Sequence, residues 1–192
     1  MRRAFVLAAA LALLTGCGNP RQSAPDVFTP GPPLGANQAA YPQDGLAFKV
    51  PGGWSKVDGS PPSVATIATG TAVVAVWRYP RTEPLPANDA QLQAAIGTLA
   101  QAAKTRDASF TLIKSSHLTI GGKPAVQLRG LETIDGQQRM VRSTHIYAEG
   151  AEIVVDSFCA LKDFKRVDAQ VFRPLLQTMV ITAPTAAAKG GT

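Results

Sequence analysis

Residues 110–160 read FTLIKSSHLTIGGKPAVQLRGLETIDGQQRMVRSTHIYAEGAEIVVDSFCA, and three pairs punctuate them: Gly121-Gly122, Asp135-Gly136 and Glu149-Gly150. Glycine takes the positive φ that tight two-residue hairpin turns require. Between the pairs lie strand-like segments at about 110–120, 123–133, 138–148 and 151–159. This spacing predicts four antiparallel strands joined hairpin to hairpin, a four-strand meander.

Upstream of that stretch the period changes. Leu92, Ala95, Ile96, Leu99, Ala102 and Ala103 recur at helical spacing, Asn88 stands ready to cap, and Lys104 and Arg106 sit where they favour the helix dipole. A helix over residues 89–106 follows. Its Ala-rich stripe is thin, which suits close packing on a sheet. Earlier still, Leu46-Ala47-Phe48-Lys49-Val50 reads as a strand closed by Pro51-Gly52-Gly53, and two β-branched runs, 63–69 and 71–79, flank Gly70 as a hairpin. Downstream, Phe164, Val167, Val171, Leu175 and Met179 fall on one helical face, and Pro174 should kink or split that helix. The expected class is α+β: an antiparallel sheet with a four-strand meander, packed against a central helix and a C-terminal helix.

The chain opens with Met1-Arg2-Arg3, continues from Ala4 to Leu14 without a charge, and reaches Leu14-Thr15-Gly16-Cys17. A basic start followed by a short apolar run is the layout of a secretory signal peptide, and the run is well short of the roughly 20 residues that span a bilayer. Small residues ahead of a cysteine at this position look like a lipobox. Residues 1–16 are therefore expected to be a lipoprotein signal peptide, and Cys17 to carry diacylglyceryl and acyl chains, enough for stable anchoring. Arg2-Arg3-Ala4-Phe5-Val6 also resembles the start of a twin-arginine signal, but the Leu- and Ala-rich run favours the general secretory route. Residues 17–43 hold Pro20, Pro25, Pro30, Pro32, Pro33 and Pro42 with several Gly, Asn and Gln, and read as a tether. The folded domain is expected over 44–183 and a disordered tail over 184–192.

The full chain carries 19 basic and 13 acidic residues; losing Arg2 and Arg3 leaves 17 against 13, a balance of +4. The charge is scattered, with no basic run interleaved with aromatics, so nucleic-acid binding is not expected. With Cys17 acylated, Cys159 has no partner in the chain: an internal disulfide is ruled out, and so is a cysteine-based metal site. Cys159 reads as a small buried hydrophobe, with an intermolecular disulfide as the alternative.

The opening strand Phe48-Lys49-Val50-Pro51 followed by Gly53-Trp54, the central helix, Ile120-Gly121-Gly122-Lys123-Pro124-Ala125-Val126 leading into long hairpin strands, and the closing helix from Phe172 to Val180 resemble a PsbP-like domain. That family includes the PsbP subunit of photosystem II, Ran-binding proteins of the Mog type and LpqN-type lipoproteins of actinobacteria. The resemblance covers roughly Tyr41 to Ala183. It implies a PsbP-like sandwich and a binding or assembly role, with LpqN-type lipoproteins the nearest analogy. It supplies no catalytic motif that maps onto these residues.

The residues themselves offer little chemistry. His117 and His145 each stand alone at a predicted strand and read as structural or solvated. There is no Gly-x-Ser-x-Gly elbow and no phosphate-cradling loop. Asp163 and Asp168 near the start of the last helix are explained by its dipole. Lys162, Lys165, Arg166 and Arg173 form a basic cluster on that helix, a solvated face or a contact patch for an anionic partner or headgroups. Core packing is the default for both Trp54 and Trp77, while partial exposure of either would mark a binding surface; Trp77 with Arg78 is the second candidate contact, since aromatics beside Arg are typical of binding hot spots. The leading reading is an exported lipoprotein, held at the cell membrane or outer membrane, without catalytic activity, metal or cofactor beyond its lipid. Its domain would bind a protein partner in the cell envelope. The alternative is a carrier or sensor of a small lipid or glycan in a cleft between sheet and helix, which a roomy apolar pocket would favour. A third, an envelope hydrolase, needs His117 or His145 beside a carboxylate in a cleft.

Overall fold

The computed structural model describes residues 37–185. The expected signal peptide 1–16, Cys17, the expected tether up to residue 36 and the expected tail from residue 186 lie outside the described residues. Ten strands and three α-helices follow one another as β1 (Gln38–Tyr41), β2 (Leu46–Lys49), β3 (Ser55–Asp58), β4 (Ser63–Thr69), β5 (Ala72–Pro80), α1 (Asp89–Arg106), β6 (Thr111–Ile120), β7 (Lys123–Ile134), β8 (Gln137–Ala148), β9 (Ala151–Ala160), α2 (Leu161–Val167), α3 (Arg173–Gln177) and β10 (Val180–Ile181).

A seven-stranded sheet runs β3-β4-β5-β9-β8-β7-β6, and a small sheet runs β1-β2-β10; every pairing is antiparallel. Strands β6 to β9 are each hydrogen-bonded to the next in sequence order, joined by the three pairs read from the sequence. Both residues of each loop have positive φ: Gly121 and Gly122 at 55° and 76°, Asp135 and Gly136 at 51° and 69°, Glu149 and Gly150 at 50° and 65°. These are type I′ turns, whose twist matches that of the strands they join.

One face of the large sheet carries the main core. Val74, Val76, Ile146, Ile153 and Val155 pack there against Phe48 of the small sheet and Phe164, Phe172 and Leu175 of the C-terminal segment. On the opposite face α1 packs Leu92 and Ile96 onto Val126, Leu128 and Tyr147. The cap of α1 forms as expected: the Asn88 side chain accepts from the Gln91 amide at 3.0 Å, and Gln91 Oε1 accepts from the Ala87 amide at 2.9 Å. Among its neighbours α1 leans on β6 and β7, so the same face over β5, β9 and part of β8 is left without a lid.

Four features depart from the sequence reading, the first being that Ser55–Asp58, where no strand was expected, pairs with β4. The tether expected over residues 17–43 ends earlier, because Gln38–Tyr41 pairs with β2, Ala39 is buried, and Tyr41 stacks on Phe48 at 5.7 Å. Val180, expected as the last residue of the closing helix, instead starts the strand Val180–Ile181 that closes the same small sheet. The C-terminal helix is split, as Pro174 demands, but the break is a π-turn over Asp168–Phe172 whose last amide, that of Arg173, donates to the Asp168 carbonyl. The wider turn shifts the hydrogen-bond register just before a residue that has no N–H to give.

Candidate functional site

The uncovered half of the α1 face forms a cleft of about 460 Å³ between the sheet and α1. Strand alternation selects its floor: Trp77 and Tyr79 from β5, Val154, Asp156 and Phe158 from β9, Val141, Ser143 and His145 from β8. Leu99, Ala102 and Arg106 of α1 make one wall, with Phe110 behind them. Gly130 of β7 is required for that closure, since a Cβ there would lie 2.7 Å from the Phe110 ring and 2.7 Å from the Thr111 carbonyl oxygen. The small alanines of α1, thin for a core stripe, are what leave the space open.

A polar chain runs along this apolar floor. Arg81 pairs with Glu152, whose other oxygen lies 2.7 Å from His145 Nδ1, and His145 Nε2 lies 3.0 Å from Ser143 Oγ. Burial pushes the Glu152 carboxyl up, yet the hydrogen bonds from His145 and Arg81 outweigh it and hold its pKa below the ordinary value. Asp156 is the reverse case. Burial pushes it above the usual carboxylate range, against the Ser143 hydroxyl and the charges of His145 and Arg106, and its Oδ1 is buried without a protein partner. Burial, followed by the nearby Glu152 charge, pushes the Tyr147 hydroxyl up to about 12. The cleft therefore presents aromatic faces beside a carboxyl with an unused acceptor, an arrangement suited to a ligand with an apolar body and a hydrogen-bonding part.

Of the residues singled out from the sequence, Trp77 lines this cleft and Arg78 does not. Adjacent residues of a strand point to opposite faces, so Arg78 is buried on the other side, where it donates to the Glu149 carbonyl at 2.8 Å. The expected Trp77–Arg78 contact pair is thereby separated. Lys162, Lys165, Arg166 and Arg173 are all exposed, and Lys165 and Arg173 line a second recess, of about 580 Å³, on the opposite face of the sheet. Asp168 is not a solvated dipole partner but a buried one: both its oxygens accept from Arg142, at 2.5 and 2.7 Å. His117 lies on the surface, 3.5 Å from Asp89. His145, expected to be structural or solvated, stands in the cleft, because residues 143, 145 and 152 share one face of β8 and β9; the Arg81–Glu152–His145 chain has no local sequence signature. Cys159 is fully buried, and burial, then the charges of Asp163 and Asp168, push its thiol up to about 12. Trp54 packs against the main core. Among the described residues no group of three or more His, Cys, Asp or Glu is placed to hold a metal ion, and no helix is long and apolar enough to cross a membrane.

The architecture is that of a PsbP/Mog-like α+β domain. No family model matches the chain, and no curated protein matches it. The likeness is to solved structures. Cyanobacterial PsbP (CyanoP) from Synechocystis sp. PCC 6803 aligns at TM-score 0.59 and 15% identity, over 76% of this chain and 92% of that one. LpqN, involved in cell envelope biogenesis of Mycobacterium tuberculosis, aligns at 0.51 and 21%, over 71% and 83%. The Ran-binding protein Mog1p of Saccharomyces cerevisiae aligns at 0.53 and 8%, over 77% and 95%. At such identities the likeness is one of fold, and none of these neighbours points to an enzymatic family.

Proposed function

We propose that this chain is an exported binding protein of the cell envelope, tethered through lipid on Cys17, that holds an amphipathic small ligand in the cleft between the large sheet and α1. The observation that carries the reading is the cleft itself: an aromatic floor of Trp77, Tyr79 and Phe158 left uncovered by a helix whose facing residues are Leu99 and Ala102. An uncovered aromatic floor with a few convergent polar groups is the general form of a small-ligand seat. It favours the ligand-carrier alternative over a flat protein-docking face. The lipobox and the envelope role of LpqN, whose fold this chain shares, support the localisation.

The neutral dye Nile red tests the cleft, since it does not respond to charge. Wild-type protein should bind it saturably. Trp77→Ala should weaken binding about tenfold, equivalent to about 1.4 kcal/mol, and Ala102→Trp, which fills the space from the exposed side of α1, should abolish it. Undiminished binding by Ala102→Trp would remove the reading. A second reading, ester hydrolysis, is favoured by the Ser143–His145–Glu152 geometry, which has the order of a nucleophile, a base and its orienting carboxylate. Against it, β8 is paired on both sides, so its amides are consumed by the ladder and supply no oxyanion hole. Hydrolysis of p-nitrophenyl acetate that disappears in Ser143→Ala would establish it; equal rates would discard it.

A further inference from the structure

On the face of the sheet away from α1, three cations stand in one row across three strands. Lys114 of β6 is directly opposite Arg129 of β7, and Arg129 is directly opposite Arg142 of β8. Side chains so paired are about 5 Å apart at Cβ, and like charges in that position destabilise a sheet. The row forms the back of the recess of about 580 Å³, which α2 closes with Leu161, Phe164 and Lys165 and the start of α3 closes with Arg173. Of the side chains lining it, five are cationic and Asp168 is the single carboxylate. Asp168 is already taken: Arg142 binds it through two nitrogens, and Arg173 Nε lies 3.4 Å away. Arg142 also donates to Gln127, whose amide nitrogen is spent on Thr144. Arg129 has no such partner. Its Nε is buried and meets no acceptor, and no carboxylate among the described residues pairs with Lys114 or Lys165.

A folded domain that stacks three cations, neutralises one and leaves a buried guanidinium nitrogen unmet has destabilised itself at one place. An anion with several acceptor oxygens relieves both the stacked charge and the unmet guanidinium together. We propose that this recess is a binding site for a phosphate group, with the Arg129 guanidinium as its central ligand and Lys114 and Lys165 flanking it. Guanidinium matches the planar pairs of oxygens that a phosphate offers, and the two ammonium groups act as point charges beside it. Leu161 and Phe164 add an apolar ledge next to the anion. The phosphate belongs either to a soluble phosphate ester or to a lipid headgroup.

The test uses the mature chain with Cys17→Ser, titrated with inorganic pyrophosphate and, separately, with vesicles of phosphatidic acid or of phosphatidylcholine. Pyrophosphate should shift the Arg129 Nε–H resonance and raise the melting temperature of the wild type by mass action. Arg129→Gln and the double variant Lys114→Gln/Lys165→Gln should each lose about tenfold or more in affinity, while Lys56→Gln on β3 stays as the wild type. Without ligand, Arg129→Gln should melt no lower than the wild type, because the substitution removes repulsion; this separates lost binding from lost folding. Phosphatidic acid vesicles that bind in an Arg129-dependent way and compete with pyrophosphate identify a lipid headgroup. Pyrophosphate binding with both vesicle types ignored identifies a soluble phosphate. An unmoved Arg129 resonance, or equal pyrophosphate affinity in Arg129→Gln, overturns the proposal.

Discussion

Replacing Asp168 by Ala should be one of the most damaging single changes in the domain. Its carboxylate is buried, with 9% of the side chain exposed, and it closes a two-pronged pair with Arg142 Nε and a terminal nitrogen at 2.5 and 2.7 Å. That pair joins the π-turn to β8, so it fixes how the C-terminal segment lies on the sheet. Removing one partner of a buried pair strands the other charge and costs about 3–5 kcal/mol. Domains of this kind have about 5–15 kcal/mol in total, and each kcal/mol is worth roughly 2–4 °C at this size. The melting temperature should therefore fall by roughly 6–20 °C. Thermal unfolding measures that shift, and urea unfolding followed by tryptophan fluorescence and by far-UV circular dichroism measures the free-energy loss, with coincident curves as the check on two-state behaviour. The double variant Asp168→Leu/Arg142→Met should recover most of the loss, because it removes both charges and leaves apolar volume. If Asp168→Ala costs under about 1 kcal/mol, or the double variant is as unstable as the single, the pair is not the buried strut described.

Opposite pH dependences should follow from the two carboxylates of the cleft. Asp156 has a raised folded pKa, so the folded state holds its proton more tightly; stability falls as pH rises from the unfolded value of 3.8 through the folded one, and Asp156→Asn should gain about 1 kcal/mol at pH 7. Glu152 is depressed, so its contribution is present above the unfolded value of 4.5 and lost as pH falls through the folded one; Glu152→Gln should be less stable at pH 7 and show a flatter acid limb in urea titrations. Cys159, fully buried with its thiol pushed up to about 12, should resist Ellman's reagent in the native state and react only on unfolding; rapid native labelling, or a Cys159-linked dimer on non-reducing gels, contradicts that burial. Gly130→Ala should cost about 1–3 kcal/mol by forcing Phe110 or the Thr111 carbonyl aside, readable in the same urea assay. Cys17→Ser should move the protein from the membrane to the soluble fraction on cell fractionation, and retention at the membrane would refute the anchor.

The elements whose shape depends on neighbours in sequence were legible from the sequence. Three glycine-bearing pairs place the β6–β9 turns to within a residue, because a two-residue loop with positive φ at both positions is a local requirement. Asn88 and the 3.6-residue stripe place α1, and Pro174 announces the break in the last helix. What failed to show locally depends on contacts across long separations. Gln38–Tyr41 is tether-like in composition and becomes a strand only because β2 and Phe48 wait for it, and Val180–Ile181 joins the same sheet from the far end of the chain.

The same divide governs the sites. Strand alternation alone places Trp77 and Arg78 on opposite faces, yet which face α1 would leave open is a matter of tertiary packing. No spacing in the chain connects Arg81, His145 and Glu152, and none aligns Lys114 with Arg129 and Arg142; antiparallel register does both. The sequence by itself determined the turns and the helix, since each is a short-range property of the backbone and its side-chain pattern. Tertiary structure decided the cleft and the cationic row, because charge and burial add up only where distant strands meet.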